Sequence, residues 1–165
     1  MDAVIVGEFL IRPAVPKDVA AIARLWQLLV DYHRLLDPEL PPATPMGALR
    51  YARRLEDQLF NPTARILVAE VDGQLVGYVF GVVVDIAPEM FSQEPSGFLA
   101  DIFVEESARR SGVGTQLVTV LAEWFQEKGL AYYEWHAAAR NPDALEFWRS
   151  LGGREVMLRM RADLG

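Results

Sequence analysis

Two arginines and two glycines stand close together in the segment Arg109-Arg110-Ser111-Gly112-Val113-Gly114-Thr115. A strand pattern precedes this segment and a helical pattern follows it, so a strand-to-helix turn is predicted here. The first turn of a helix presents unpaired backbone N–H groups and a partial positive charge, and glycine lets a phosphate approach that backbone. The arginines add positive charge in a chain whose net charge is −7. This combination favours a diphosphate ligand.

Three glycine motifs could account for such a turn. The chain lacks the Gly-x-x-x-x-Gly-Lys-Ser/Thr pattern of a Walker A loop. A dinucleotide-binding fingerprint requires a third glycine where Leu117 stands, although Glu134 lies about where a ribose-binding acid would follow. The third motif, Arg/Gln-x-x-Gly-x-Gly/Ala, is matched by the residues from Arg109 to Gly114.

A second motif lies one predicted strand further along the chain. The segment Asn141-Pro142-Asp143-Ala144-Leu145-Glu146-Phe147-Trp148-Arg149-Ser150-Leu151-Gly152-Gly153 is similar to the pattern Asn-x-x-Ala-x-x-Phe-Tyr-x-x-x-Gly-Phe. With this order and separation of the two motifs, the chain resembles the GNAT superfamily of acyl-CoA N-acyltransferases, from Phe9 to the last predicted strand. The resemblance implies an N-acetyltransferase that uses acetyl-CoA, needs no metal, and acylates the primary amine of a small molecule or a peptide.

The resemblance also implies which residues bind the cosubstrate. Backbone N–H groups of the turn would hold the pyrophosphate, and the strand before the turn would pair with the pantetheine arm. Asn141 and the helix after it would contact that arm from the other side. The residues concerned are Ile102, Phe103, Val104, Arg109, Arg110, Ser111, Gly112, Val113, Gly114, Thr115, Asn141, Ala144 and Trp148. The competing interpretations are a plain N-cap for Asn141 and an exposed basic pair for the arginines.

Acyl transfer to an amine requires a neutral amine, a donor for the oxyanion and a thiolate that can leave. The chain has no cysteine, so direct attack in a ternary complex is the simplest route. By the resemblance, the backbone N–H of Val104 would be the oxyanion donor. Trp148 stands where the family commonly has a tyrosine acid, and Ala100 stands where some relatives have a glutamate base. Neither difference excludes an enzyme, because a thiol with a pKa of about 8.5 is a tolerable leaving group.

Five polar side chains are further candidates for the chemistry. Asp101 lies on the strand beside the expected cosubstrate site, and alternation places Glu134 and His136 on one face of the next strand. These three residues are candidate bases. Tyr32 and His33, near the end of the first predicted helix, are candidates for lining an acceptor site. A structural or surface role is the competing interpretation for all five.

Other functions stay open at this stage. Trp148 and Ala100 favour a non-catalytic acyl-CoA-binding or sensor module, and the glycines leave a dinucleotide-binding oxidoreductase as a third hypothesis. The acidic composition argues against nucleic-acid binding and is weakly compatible with a cationic substrate such as an amine. The absence of cysteine and two histidines far apart in sequence argue against a metal site.

Length and composition set the outer limits. The chain has 165 residues, 52% of them apolar, which predicts a single domain over residues 1–165. The N-terminus lacks a basic region like that of a signal peptide, and the longest apolar run, near residues 75–84, is too short to cross a bilayer. We therefore expect a cytoplasmic protein that binds no membrane, and the resemblance adds a possible homodimer.

Hydrophobic spacing and turn residues predict the order β-α-α-β-β-β-α-β-α-β, an α/β fold with a mixed sheet and helices on both faces. The predicted strands are 9–12, 66–71, 74–84, 98–104, 131–138 and a closing strand 154–161. Three predicted helices follow the N-caps Asp18, Thr44 (with Pro45 at N1) and Asn141, and a fourth runs from Gly112 to Lys128. The second helix would bury Leu49, Ala52, Leu55 and Leu59. Loops at 37–45 and 86–96 would set acceptor specificity.

Overall fold

Strands of alternating pattern, joined by tight turns and helices, build one mixed sheet. The computed structural model describes residues 3–85 and 94–164, with the side chain of Val6 left out. The elements are β1 (Val4–Val6), β2 (Phe9–Pro13), α1 (Val19–Leu36), α2 (Gly47–Gln58), β3 (Ala64–Val71), β4 (Gln74–Val84), β5 (Ser96–Val104), α3 (Val113–Glu127), β6 (Tyr133–Trp135) and α4 (Pro142–Ser150). Most of the predicted loop 86–96 lies outside the described residues.

The strands lie in the sheet in chain order, from β1 to β6. Neighbouring strands are antiparallel except β5 and β6, which are parallel because α3 crosses over between them. Asp72 and Gly73 join β3 to β4 with φ values of 48° and 79°, the left-handed backbone that a tight hairpin requires. The predicted mixed sheet and hairpin are confirmed.

Strand alternation divides the apolar side chains between two cores. Leu67, Val79 and Leu99 point to the face covered by α3 and α4. Val68 and Phe80 point to the opposite face, which α1 and α2 cover. Helices on both faces of the sheet, as predicted, therefore bury the central strands β3 and β4 on both sides.

Asp18, just before the first helix, forms an ion pair with Arg12 of the sheet. Its carboxylate accepts hydrogen bonds from Arg12 at 2.6 and 3.0 Å and from the Val15 N–H at 2.9 Å. Arg12 also donates to Glu70 on β3. Burial alone would raise the pKa of Asp18, but these hydrogen bonds keep it below its usual value. Asp18 thus links the start of α1 to the sheet. It stands at the predicted N-cap position, but within the described residues its side chain makes no capping hydrogen bond to α1.

The second helix begins later than predicted and buries a different face. The Thr44 carbonyl accepts the Gly47 N–H at 2.8 Å, so Thr44 and Pro45 form a turn before α2. Leu49 is 45% exposed, whereas Tyr51 is buried. The buried face recurs at Gly47, Tyr51 and Leu55. A Cβ on Gly47 would lie 3.1 Å from the Trp26 ring, so a glycine there favours the close packing of α2 against α1.

Two predictions at the end of the chain are wrong. The predicted strand 131–138 is reduced to Tyr133–Trp135, because it pairs with β5 only at Gly97–Leu99. The predicted closing strand 154–161 does not form: within residues 3–85 and 94–164, no strand lies on the outer side of β6. The short β1, which pairs with β2, was not predicted.

Candidate active site

A β-bulge in the middle of β5 sets the direction of the central side chains. Asp101 lies opposite Phe80 and Leu99 lies opposite Gly81, so Ala100 is an extra residue without a partner in the β4–β5 register. Leu99 packs toward α3, whereas Ala100 and Asp101 both face α1 and α2. The bulge therefore turns the Asp101 carboxyl toward the helical face, as bulges beside functional sites commonly do.

At the same bulge, β5 and β6 separate. Their pairing ends at Leu99 and Trp135, and β5 continues to Val104 without a strand partner on that side among the described residues. A strand edge with free N–H and C=O groups can pair with an extended ligand chain. The splay thus creates a place for a linear, amide-containing ligand between β5 and the loop before α4.

A cavity of about 500 Å³ runs along this splayed edge. It extends from the turn before α3, past β5, to the side of α1. The predicted site residues that line it are Tyr32, His33, Asp101, Ile102, Phe103, Val104, Arg109, Arg110, Gly112, Gly114, Thr115, His136, Asn141, Ala144 and Trp148. Ser111, Val113 and Glu134 are not among the lining residues. The fold therefore brings most of the predicted site into one cleft, while the roles of these residues stay predictions.

The turn before α3 has the geometry expected of an anion site. Arg110 and Gly112 have φ values of 59° and 89°, and α3 begins at Val113. In the part of the chain that the structure describes, no side chain caps the first turn of α3. A Cβ on Gly112 would meet open space, so the backbone there is accessible. The N–H groups of this turn are thus available to a phosphate.

The two arginines of the turn lie in different surroundings. The Arg109 Nε donates to the Val104 carbonyl at 2.9 Å, and the guanidinium lies 4.6 Å from the Tyr32 ring centre and 5.5 Å from that of Phe103. Arg109 therefore ties the end of β5 to α1 and places its charge inside the cleft. Arg110 is exposed at the mouth of the turn.

Asp101 belongs to a buried hydrogen-bonded cluster. The Tyr51 hydroxyl donates to Asp101 Oδ2 at 3.0 Å, and the Tyr78 hydroxyl lies 3.5 Å from that of Tyr51. Trp26 stacks on Tyr51 with ring centres 4.9 Å apart. Burial raises the pKa of Asp101 to about 6, although Tyr51 and the nearby Arg54 act in the opposite direction. Asp101 is thus a carboxylate at neutral pH with a raised affinity for a proton.

The sequence interpretation did not include Tyr51, although a signal for it exists. The spacing of Gly47, Tyr51, Leu55 and Leu59 is strictly i, i+4, which is one face of a helix. The predicted face began at Leu49 instead, because a tyrosine is less often buried than a leucine. In the structure, the packing of α2 against Trp26 buries the face with Tyr51 and leaves Leu49 exposed.

The other candidate bases and acceptor residues fall into two groups. Tyr32 and His33 lie in the cleft, and burial lowers the pKa of His33, so its imidazole is neutral at pH 7. His136 also lines the cleft and packs edge-on against Phe98 at 5.5 Å. Glu134, on β6, pairs with Phe98 of β5. Its side chain is exposed and does not line the cavity. Its position favours the surface interpretation.

Asn141 and Trp148 fix the other wall of the cleft. Asn141 is buried and its Oδ1 accepts the Ala144 N–H at 3.1 Å, so it is the N-cap of α4. Its amide nitrogen is then the group that it can offer to a ligand. Trp148 is buried against Trp135 and Phe147, with ring centres 4.6 and 4.9 Å apart. Indole cannot give up a proton at neutral pH, so Trp148 supports the wall by packing.

The fold agrees with comparisons to known proteins. The model of the acetyltransferase (GNAT) family matches residues 22–152. The chain belongs to this family.

Solved structures share the fold at low identity. A mutant of the BH1408 protein from Bacillus halodurans has a TM-score of 0.84 at 20% identity, covering 93% of this chain and 98% of its own. Aminoglycoside 6'-N-acetyltransferase AAC(6')-Ih from Acinetobacter baumannii has a TM-score of 0.69 at 19% identity, with 95% and 99% covered. Aminoglycoside N-acetyltransferase AAC(6')-Iy, solved with CoA, has a TM-score of 0.69 at 21% identity, with 96% and 100% covered.

The described residues show neither a metal-binding cluster nor a membrane-spanning helix. Over residues 3–85 and 94–164, no group of three or more histidine, cysteine or acidic residues is placed to hold a metal ion. None of the helices described here combines the length and apolar character needed to cross a membrane.

Proposed function

We propose that this protein transfers an acetyl group from acetyl-CoA to a primary amine of a small molecule or peptide, by direct attack in a ternary complex. One observation carries the proposal: the anion-binding turn, the free edge of β5 and the Asp101 carboxyl open into the same cavity. A linear cosubstrate with a diphosphate at one end and a reactive group at the other matches the order of these features along the cavity.

The residues present fit acetyl-CoA along the whole cleft. The uncapped first turn of α3 would hold the pyrophosphate, and the free edge of β5 at Ile102–Val104 would pair with the amides of the pantetheine. Asn141 would donate its amide N–H from the facing wall. Acetyl-CoA would supply an acetyl thioester at the bulge, beside Asp101.

The cleft also supplies the groups that the transfer needs. Asp101 would take a proton from the incoming ammonium, so that the neutral amine forms a bond to the acetyl carbon while the C–S bond breaks. The Val104 N–H would stabilise the negative charge on the carbonyl oxygen. The sulfur would leave as thiolate, because a thiol pKa of about 8.5 makes this feasible without an acid at Trp148. The thiolate would then take the second proton, which the nitrogen loses as the amide forms.

The acceptor side of the cleft suits a cationic amine. Asp101 presents a carboxylate to the cavity, which Tyr32 and His33 also line. The two solved neighbours AAC(6')-Ih and AAC(6')-Iy are named as aminoglycoside N-acetyltransferases. We therefore propose a small polyamine-like or aminoglycoside-like acceptor ahead of a peptide.

An acceptor panel tests the proposal. The expected result is CoA release from acetyl-CoA with at least one member of a panel of polyamines, aminoglycosides, amino acids and peptide N-termini. Calorimetry with acetyl-CoA runs in parallel. Binding without turnover on any acceptor would favour the non-catalytic acyl-CoA sensor. The buried Trp148 and the alanine at position 100, which provides no carboxylate base, support that alternative. Failure to bind acetyl-CoA would contradict both functions.

A further inference from the structure

Arg109 is held inside the cleft by one backbone carbonyl and two aromatic rings. Its Nε donates to the Val104 carbonyl at 2.9 Å, and its guanidinium carbon lies 4.6 Å from the ring centre of Tyr32 and 5.5 Å from that of Phe103. Within residues 3–85 and 94–164, no carboxylate lies close enough to form an ion pair with it. A planar guanidinium can bond and stack at once, so these contacts fix the position of the side chain.

The backbone N–H of Arg109 is occupied as well. It donates to the Glu106 carbonyl at 3.2 Å. Gly112 and the first turn of α3 keep their backbone accessible to a phosphate, whereas neither the backbone N–H nor the Nε of Arg109 is available. Arg109 therefore contributes less to the anion site than its place at the start of the glycine motif predicts, and its side chain is directed to the end of β5.

The carbonyl that Arg109 contacts belongs to the residue whose N–H is the proposed oxyanion donor. In a strand, the N–H and C=O of one residue point to the same side. The Val104 carbonyl points into the cleft, where Arg109 contacts it. The N–H of the next residue, Glu105, points the other way and donates to the Val76 carbonyl of β4 at 2.8 Å. The Val104 N–H therefore also faces the cleft, and the bond from Arg109 fixes the direction of both groups.

We propose that Arg109 is a positioning residue for the transfer: it links Val104 to Tyr32 on α1, so that the Val104 N–H stays aligned with the oxygen of the acetyl group. The inference rests on the proposed function, and it gives Tyr32 a role that acts through Arg109. An oxyanion donor must lie about 3 Å from the charge that develops, so a shift of the strand end by about 1 Å lowers the rate up to about a hundredfold.

A second arginine connects the same two elements and provides a matched control. Arg24 of α1 pairs with the Glu105 carboxylate at 2.8 Å, one residue after Val104. Its side chain is 55% exposed and does not line the cavity, and within the described part of the chain it makes no hydrogen bond to Val104. R24M and R109M each remove one arginine between α1 and the end of β5, but only R109M removes the bond to the Val104 carbonyl.

Steady-state kinetics and calorimetry separate positioning from binding. R109M should lower kcat about ten- to a hundredfold, because the oxyanion donor loses its alignment, and should change the Kd for acetyl-CoA less than about threefold. R24M should keep kcat within about twofold of wild type, as expected of an exposed ion pair. A loss of acetyl-CoA affinity in R109M with unchanged kcat would make Arg109 a phosphate ligand, and equal losses of kcat in both variants would indicate general packing. Either result would overturn the proposal.

Tyr32 tests the connection to α1. Y32L removes the ring and should lower kcat about two- to tenfold, whereas Y32F keeps the ring and should retain most of what Y32L loses. Y32L together with R109M should be no slower than R109M alone, because Tyr32 acts through Arg109. Losses that multiply in the double variant would show that Tyr32 acts independently, against the proposal.

The bond itself can be observed without turnover, so this part of the test does not depend on finding an acceptor. Val104–Glu105 is the only Val-Glu peptide bond in the sequence, so valine labelled with ¹³C at the carbonyl and glutamate labelled with ¹⁵N mark this peptide alone in an NMR spectrum. R109M should move the Val104 carbonyl carbon resonance upfield, because the carbonyl loses its hydrogen bond, and R24M should move it much less.

An unshifted resonance in R109M would overturn the inference, whether or not any acceptor reacts. A shifted resonance with wild-type kcat in R109M would overturn the positioning role and leave the proposed acetyl transfer standing.

Discussion

Asp101 faces α1 and α2 because β5 contains one extra residue. Without the bulge at Ala100, alternation would place Ala100 and Asp101 on opposite faces of the sheet. With it, Asp101 meets Tyr51 and lies beside Tyr32 and His33 in the same cavity. In this chain the carboxylate that some relatives carry at position 100 is absent, and the carboxyl of the next residue occupies that side of the strand.

Asp101→Asn is the most direct test of the base. If Asp101 accepts the proton, the wild-type kcat/KM should rise about tenfold per pH unit up to about pH 6 and then level, because only the carboxylate is active. D101N should lower kcat by ~10²–10⁴-fold and remove this acid limb. Affinity for acetyl-CoA, measured by calorimetry, should change little. An unchanged pH profile in D101N would show that another group is the base.

Tyr51 is expected to set the position of the acid limb without touching substrate. Its hydrogen bond favours the carboxylate form of Asp101, so Y51F should raise the pKa of Asp101 and shift the limb to higher pH by about one unit. Y78F is the matched control, because Tyr78 bonds to Tyr51 and not to Asp101. Equal shifts in both variants, measured as pH profiles of kcat/KM, would argue for a general loss of packing.

At the scale of the elements, the turn before α3 was predictable and its details were not. Gly112 and Gly114, read with the flanking strand and helix patterns, located the turn and the start of α3 within a residue. Sequence spacing gave no sign that Arg109 folds back onto Tyr32, because that contact depends on where α1 packs. The sequence also gave no sign of the bulge at Ala100, since a register shift depends on the partner strand.

The anion site can be tested with two equivalent glycines at the two ends of α3. Gly112 and Gly129 have φ values of 89° and 77°, and a Cβ on either would meet open space. G112E and G129E therefore impose similar backbone strain and the same charge. G112E should weaken acetyl-CoA binding by about a hundredfold or more, because a carboxylate replaces access to the N–H groups of the turn.

G129E should leave the affinity for acetyl-CoA within about twofold of wild type, because it lies at the opposite end of the helix. Calorimetry on both variants, with circular dichroism to verify folding, makes the comparison. Equal affinities in G112E and G129E would show that the pyrophosphate binds elsewhere.

At the scale of the whole molecule, the order of strands and helices followed from hydrophobic spacing, and the edges of the sheet did not. The central strands β3, β4 and β5 are fixed by long apolar runs and by the Asp72–Gly73 turn. The segment 154–161 has an equally strong strand pattern, yet no partner strand in its own chain within the described residues. A local pattern states that a segment favours a strand, but it does not state which edge completes it.

The cleft itself is a property of the whole fold. Its walls come from α1, β5, the turn before α3, and α4, which are distant in sequence. The turn before α3 and Asp101 line one cavity. The proposed reaction therefore has both substrates present together when the acetyl group moves. The absence of cysteine is consistent with a route that forms no acetylated thiol.

Two-substrate steady-state kinetics test the central claim, direct transfer in a ternary complex, most directly. Initial velocities are measured while acetyl-CoA and the best acceptor from the panel are varied together, and the protein mass is recorded after incubation with acetyl-CoA alone. The expected result is a set of intersecting double-reciprocal lines and an unmodified protein, as a ternary complex requires. Parallel lines together with an acetylated protein would contradict direct transfer in a shared cleft.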